Sequence, residues 1–196
     1  MYKVFYNNAL IIIDKQPHPN RLFIREKSDL DNFLHYFLSQ PAPNDALICA
    51  DDVNILWNTF RQCFRYVEAA GGLVKHADQR YLFIKRFGIW DLPKGKLKVI
   101  ESPATGAIRE VEEETCVADL KLVSGLPSSY HIYSNKNTWI LKRTFWYSMK
   151  TSHEGQLIPQ TNEDITEARW LSLEPARQAL KSSYRSLAET LLPFLA

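Results

Sequence analysis

One helical stretch set among strand patterns constrains this 196-residue chain more than any other feature. Ser102 can cap the helix, Pro103 occupies the first helical position, where its missing N–H costs nothing, and the periodic stretch runs to about Thr115. The sequence around it reads as strand: residues 65–74 and 81–86 before it, then 120–123, 128–133, 138–149 and 167–171. These segments alternate, or carry the β-branched and aromatic residues that suit a pleated surface. A helix between strands must bury its apolar side on a sheet, so the fold class is α/β. A last helix is expected over about 174–191, with Ala176, Ala179, Leu180, Leu187 and Leu191 mostly on one side.

Residues 1–64 have a different texture. Short strands are expected at 2–6, 9–13 and 22–25, with turn chemistry at Asn7-Asn8 and at 16–20. Ser28 is the expected cap of a helix carrying Leu30, Phe33, Leu34, Phe37 and Leu38, which ends before the proline-rich 41–45. Residues 46–50 read as a buried strand. Asp51 or Asp52 caps a second helix running to about Cys63, with Val53, Leu56, Trp57 and Phe60 as its apolar side. The expected organisation is a small α/β extension, 1–64, followed by a main domain, 65–196. An extension that packs on the main domain, shapes substrate access or forms a dimer interface suits its size, and a homodimer is one assembly compatible with it.

Composition excludes several classes. At 45% hydrophobic and 23% charged, the chain has neither the low hydrophobicity of disorder nor an apolar run long enough to span a bilayer. A net charge of +2 gives no footprint for nucleic acid, and the first 64 residues carry six basic against seven acidic side chains. Cys49, Cys63 and Cys116 are odd in number and widely spaced, which fits reduced thiols better than a disulfide framework or a zinc site. With no secretory leader pattern in the first apolar stretch, the expectation is a cytoplasmic protein with no membrane partner.

The capped helix carries Glu110, Glu112, Glu113 and Glu114 within five positions. At about 100° per residue, Glu110, Glu113 and Glu114 fall in an arc of roughly 100°, while Ala104, Ile108, Val111 and Thr115 cluster on another side. Glu112 points elsewhere, towards water. Arg109 lies four residues before Glu113 and can pair with it. Crowded carboxylates of this kind are either a solvated face or an oxygen-rich seat for a hard divalent ion such as Mg²⁺ or Mn²⁺.

From Gly95 the sequence runs five residues to Glu101, seven more, then Arg109-Glu110-Val111-Glu112-Glu113-Glu114-Thr115-Cys116-Val117. This closely resembles the signature of the Nudix hydrolases, and every charged position matches. Cys116 stands where that signature has glycine, and a slightly altered turn is expected there. Ile100 also replaces a small turn residue. Residues 69–74 resemble the family's first core strand and 90–97 the loop leading into the signature, so the resemblance covers about 66–195 and implies an α/β/α sandwich with a mixed sheet.

The resemblance implies a metal-dependent pyrophosphohydrolase that cleaves a diphosphate linkage with water, using Mg²⁺ or Mn²⁺, on a phosphate-rich small molecule. By position it makes Glu110, Glu113 and Glu114 the metal-binding group, with Glu110 also orienting the water and the backbone carbonyl of Lys94 adding a ligand. Arg109 holds Glu113, Glu101 buttresses the loop, and Gly95 is structural. Lys85, Arg86, Lys94 and Lys96 flank the loop, either as phosphate contacts or as solubilising surface. Gly106, one turn before Glu110, leaves room for metal or phosphate.

Residues 159–171 are similar to the segment in members acting on diadenosine polyphosphates and diphosphoinositol polyphosphates. There an acidic residue approaches the metal, which points to Glu163, with Asp164 and Glu167 as alternatives. His131, Tyr133, Lys142 and Trp146 either line a substrate pocket or pack in the core. The competing class is a nucleotide-sensing domain without turnover.

Overall fold

The computed structural model describes residues 1–15 and 20–195. The chain forms two compact units, one joining Met1–Val67 to Tyr130–Lys142 and the other joining Glu68–Ser129 to Arg143–Ala196. The N-terminal residues therefore do not form a unit by themselves, as a boundary at residue 64 would require. They share their core with the end of a hairpin drawn from much later in the chain.

In the first unit, β1 (Tyr2–Tyr6) and β2 (Ala9–Asp14) form an antiparallel pair around a turn in which Asn7 takes φ 53°. β3 (Leu22–Phe23) and β2 both run parallel to β4 (Ala46–Cys49), while β1 pairs in parallel with β9 (Lys121–Asn135) through Val4–Tyr130 to Tyr6–Ile132. Helices α1 (Lys27–Ser39) and α2 (Val53–Gln62) supply Leu30, Leu34, Phe37, Leu56, Trp57 and Phe60 to one core with Val4, Ile11, Ile13, Ile48, Ile132 and Leu141. Asp52 caps α2 as expected, accepting from the N–H groups of Asn54 and Ile55. The start of α1 differs. Asp29 accepts from the N–H groups of Arg25 and Glu26 at 2.8 and 3.2 Å, so the helix is anchored before Ser28, whose hydroxyl turns to the Glu26 carboxylate. Of the turn expected at 16–20, positions 16–19 lie outside the described residues.

The second unit orders its strands β11–β6–β5–β10–β9, from β5 (Arg65–His76), β6 (Tyr81–Arg86), β10 (Thr138–Thr151) and β11 (Ile165–Leu171), with the first residues of β5 in the other unit. Period-two alternation decides what covers each face. Leu73, Tyr81, Phe83 and Trp146 point to α4 (Leu173–Lys181) and α5 (Arg185–Leu191), meeting Ala176, Leu180, Leu187 and Leu191. Ala70, Val74, Leu82 and Met149 point the other way and meet Ala107 and Val111 of α3 (Pro103–Thr115). This is the expected α/β/α layering.

Three elements differ from the sequence expectation. Residues 121–123 and 128–133 belong to one strand, β9, which lies at the edge of the order in this unit, where a proline costs no ladder bond. The single last helix is two, because the Ser182 and Ser183 hydroxyls turn to the carbonyls of Ala179 and Trp90 and interrupt it. Two short strands, β7 (Ile89–Asp91) and β8 (Lys94–Lys96), form where only an aromatic and glycine-rich loop was legible. Among the described residues no helix is long and apolar enough to cross a membrane.

Candidate active site

Helix α3 begins as the sequence dictates: the Ser102 hydroxyl accepts from the Thr105 N–H at 3.1 Å, and Pro103 occupies the first turn. Its carboxylates do not share one environment. Glu110 and Glu114, four residues apart, are buried beside Ala107 and Val111, whereas Glu112 and Glu113 are exposed. The core side is thus Ala107, Val111 and Thr115, with Ala104 and Ile108 only partly covered.

The residues before α3 build the wall that Glu110 and Glu114 face. β8 pairs with β5 (Ala70–Gly95, Gly71–Lys94), which lays Gly95 against the helix. A β-carbon on Gly95 would stand 1.8 Å from Glu110 Oε2, so only glycine leaves room for that carboxylate. The Lys94 N–H donates to Glu114 Oε2 at 3.0 Å. Glu114 Oε1 is buried without a hydrogen-bond partner. Burial pushes the Glu114 carboxyl up to about 7, against the attraction of Lys94 and Arg86. Burial also raises Glu110.

Arg109 does more than the pairing with Glu113 that its spacing suggested. Its guanidinium grips Glu101 with two bonds of 2.7 Å, reaches Glu110 at 2.6 Å and Glu113 at 2.8 Å, and donates to the Lys96 carbonyl at 3.2 Å. Glu101 is drawn down to about 2 by that guanidinium and by the Lys98 N–H, which its carboxylate accepts at 2.9 Å. Gly106 serves a different purpose from the one expected: a β-carbon there would strike Leu97 at 2.3 Å, so its space belongs to the loop and not to metal or phosphate.

The helix ends at Cys116, which adopts the left-handed φ 57°, ψ 19° and donates its N–H to the Glu112 carbonyl. The turn is kept rather than altered, and the β-carbon carries a strain of about 1–2 kcal/mol. Ile100 does the same at φ 67°, with its side chain exposed.

The following segment is tied to this helix end, which sequence pattern did not disclose. The N–H groups of Ile158 and Gln160 donate to the carbonyls of Thr115 and Glu114, satisfying two of the acceptors that a helix end leaves open. That docking leads into the turn Thr161–Glu163, where Glu163 pairs with Arg86 at 3.3 Å and acts electrostatically on Glu110. Arg86 Nε is buried without a partner. Glu167, the alternative acid, pairs instead with Arg169.

The structure thus gathers Arg86, Lys94, Gly95, Glu101, Arg109, Glu110, Glu113, Glu114 and Glu163. The Lys94 ammonium is engaged by Asp91, at 2.5 Å, and Lys96 is exposed, contributing its carbonyl. Lys142 belongs to the first unit, its ammonium over the Tyr133 ring, which also packs edge-on against His131. Trp146 is buried, its indole N–H donating to Ser129, so it is core. Among the described residues no three His, Cys, Asp or Glu side chains form a metal-binding set, and Arg109 holds Glu110 and Glu113. Phe87, which sequence reading passed over, is exposed at φ 50° beside Arg86.

The chain is 29% identical over 119 residues to a MutT-like protein of Streptomyces ambofaciens, covering 59% of this chain and 70% of that one. Its fold is similar to that of a C. elegans Ap4A hydrolase (TM-score 0.51, 21% identity, 65% of this chain and 94% of that one). It is also similar to the E. coli dihydroneopterin triphosphate pyrophosphohydrolase (TM-score 0.52, 19% identity, 67% and 97%). Residues 65–191 match the NUDIX domain family, and the chain therefore belongs to it, as a hydrolase of phosphoric anhydride bonds.

Proposed function

We propose that this chain is a divalent-metal-dependent pyrophosphohydrolase acting on nucleoside diphosphates linked to a further group, dinucleoside polyphosphates foremost. The observation that carries the reading is Glu114: a buried carboxylate with one oxygen held by the Lys94 N–H and the other without a protein partner. A divalent cation held there would supply the missing partner. Glu114, Glu110, Glu113 and the Lys94 carbonyl are the residues that would hold Mg²⁺ or Mn²⁺, with Arg109 giving up part of its hold on Glu110 and Glu113. The ion supplies neutralisation of phosphate charge and a more acidic bound water.

The other residues bind and orient. Arg86, with its buried unpartnered Nε, is the cation aimed at the phosphate chain. Glu163, 41% exposed and paired to Arg86, becomes free to take the water's proton when phosphate replaces it on that guanidinium. Phe87, 65% exposed beside Arg86, gives a nucleobase a face to stack on, which favours a nucleoside at one end of the substrate. Free thiols at Cys49, Cys63 and Cys116 suit a cytoplasmic setting. A sensing domain without turnover would need a site altered at the two departures from the signature, Cys116 and Ile100. Both adopt the backbone that glycine would, and no observation favours it.

The test is a substrate screen with Mg²⁺ and with Mn²⁺, covering diadenosine polyphosphates, diphosphoinositol polyphosphates, nucleoside triphosphates, ADP-ribose and nucleotide sugars. Turnover of a dinucleoside polyphosphate that Glu114→Gln abolishes and Phe87→Ala weakens through KM is the expected result. Absence of turnover on every class, with nucleotide binding retained, overturns it.

A further inference from the structure

Lys94 faces two ways. Its main chain serves the carboxylate helix, the N–H holding Glu114 Oε2 at 3.0 Å. Its side chain is taken by Asp91, with Nζ 2.5 Å from Oδ2. Both side chains are largely out of water, 13% and 4% exposed, so this pair is not the solvent-screened kind that contributes little. The other Asp91 oxygen accepts from the Leu92 N–H at 2.8 Å, which fixes the carboxylate across the short loop between β7 and β8.

What this arrangement prevents is as informative as what it makes. Glu114 Oε1 is buried and has no partner, so it is an attractive seat for any cation within reach. The Lys94 ammonium sits on a flexible four-carbon stem of the very residue whose N–H holds Glu114 Oε2 at 3.0 Å. An ammonium seated on Glu114 would satisfy the oxygen that a divalent ion needs. Asp91 offers the ammonium a better-placed carboxylate.

We propose that Asp91 is a positioning residue that holds the Lys94 ammonium away from Glu114 and so keeps the Glu114 carboxylate open to a divalent cation. The inference rests on the reading of Glu114 as a metal ligand. It makes an asymmetric prediction: losing Asp91 releases a competitor for the site, whereas losing the Lys94 side chain removes that competitor and leaves the backbone groups of residue 94 in place.

The experiment is Mn²⁺ binding, read from the electron paramagnetic resonance signal of free Mn²⁺, on the full chain and on Asp91→Asn, Lys94→Met and the double variant. Circular dichroism establishes that each is folded. Asp91→Asn is expected to weaken Mn²⁺ binding at least tenfold, with Lys94→Met and the double variant within about threefold of the wild type. If the pair merely braces the loop, both single variants weaken binding alike and the double variant does not recover, which overturns the proposal. Unchanged binding in Asp91→Asn also overturns it. Should Asp91→Asn not fold, Lys94→Met decides alone, since weakening there contradicts the competitor role. Failure of the wild type to bind Mn²⁺ overturns the metal reading itself, whereas wild-type binding with symmetric losses overturns this proposal only.

Discussion

Replacing Glu114 by glutamine separates the cost of a buried charge from everything else at this site. In the metal-free protein, burial raises the Glu114 carboxyl from 4.5 to about 7. The folded state therefore binds this proton more tightly than the unfolded state does. The stability that Glu114 contributes is full below pH 4.5 and is lost as pH rises through 7, where the folded protein must hold the bare carboxylate. The sign is the reverse of that for a salt-bridged acid. The size of the shift corresponds to at most about 3 kcal/mol.

Glutamine keeps the shape and still accepts from the Lys94 N–H, but does not titrate. Urea unfolding in EDTA at pH 5, 6, 7 and 8, followed by tryptophan fluorescence, gives the comparison. The other groups titrate in both proteins and cancel in the difference. Near pH 5 the two proteins should unfold together. By pH 8 Glu114→Gln should be more stable by up to about 3 kcal/mol, a midpoint shift on the order of 1–2 M urea. Saturating Mn²⁺ at pH 8 should reverse the order, because it stabilises the wild type's charged carboxylate. A difference that stays flat from pH 5 to pH 8 would refute the reasoning, since the carboxylate would then be solvated.

Three further outcomes follow from the packing. Gly95→Ala places a β-carbon 1.8 Å from Glu110 Oε2, and is expected to weaken Mn²⁺ binding and lower kcat at least a hundredfold while the chain still folds. Cys116→Gly relieves a left-handed β-carbon at φ 57° and should raise stability by about 0.5–1 kcal/mol in the same urea assay, with activity unchanged. Removing residues 1–64 strips the first unit's core from Ile132 and Leu141, both fully buried there, so the truncated chain should aggregate in gel filtration instead of running as a compact domain.

The parts of this fold that were legible in the sequence are those in which one short segment decides the outcome. Ser102-Pro103 sets the start of α3 by local hydrogen bonding, and alternation along β5 and β6 sets which residues face α3 and which face α4. What could not be read depends on partners far along the chain. Residues 130–142 carry strand pattern whichever unit they join; their place beside β1 follows from the parallel pairing of Val4–Tyr130 to Tyr6–Ile132, which no local signal announces. Lys142 is a pocket candidate by its place on these strands, and which unit it joins follows from the same long-range pairing. The docking of 158–160 onto the end of α3 uses backbone groups alone, so composition carries no trace of it.

The glutamate crowding is resolved by dividing the charges rather than by spreading them on one face. Arg109 binds Glu101, Glu110 and Glu113 at 2.6 to 2.8 Å, which offsets part of the rim's charge and leaves Glu114 Oε1 without a hydrogen-bond partner. Three separate devices protect that opening: Arg109 is spent on other acids, Lys94 is held by Asp91, and Arg86 is held by Glu163. Each of these cations is thus engaged by carboxylates other than Glu114, and on the proposed reading an ion at Glu114 would also recruit Glu110 and Glu113 from Arg109. On the proposed metal reading, a small divalent cation with more than one carboxylate in its shell would compensate for loosening those bonds, where a monovalent ion would not.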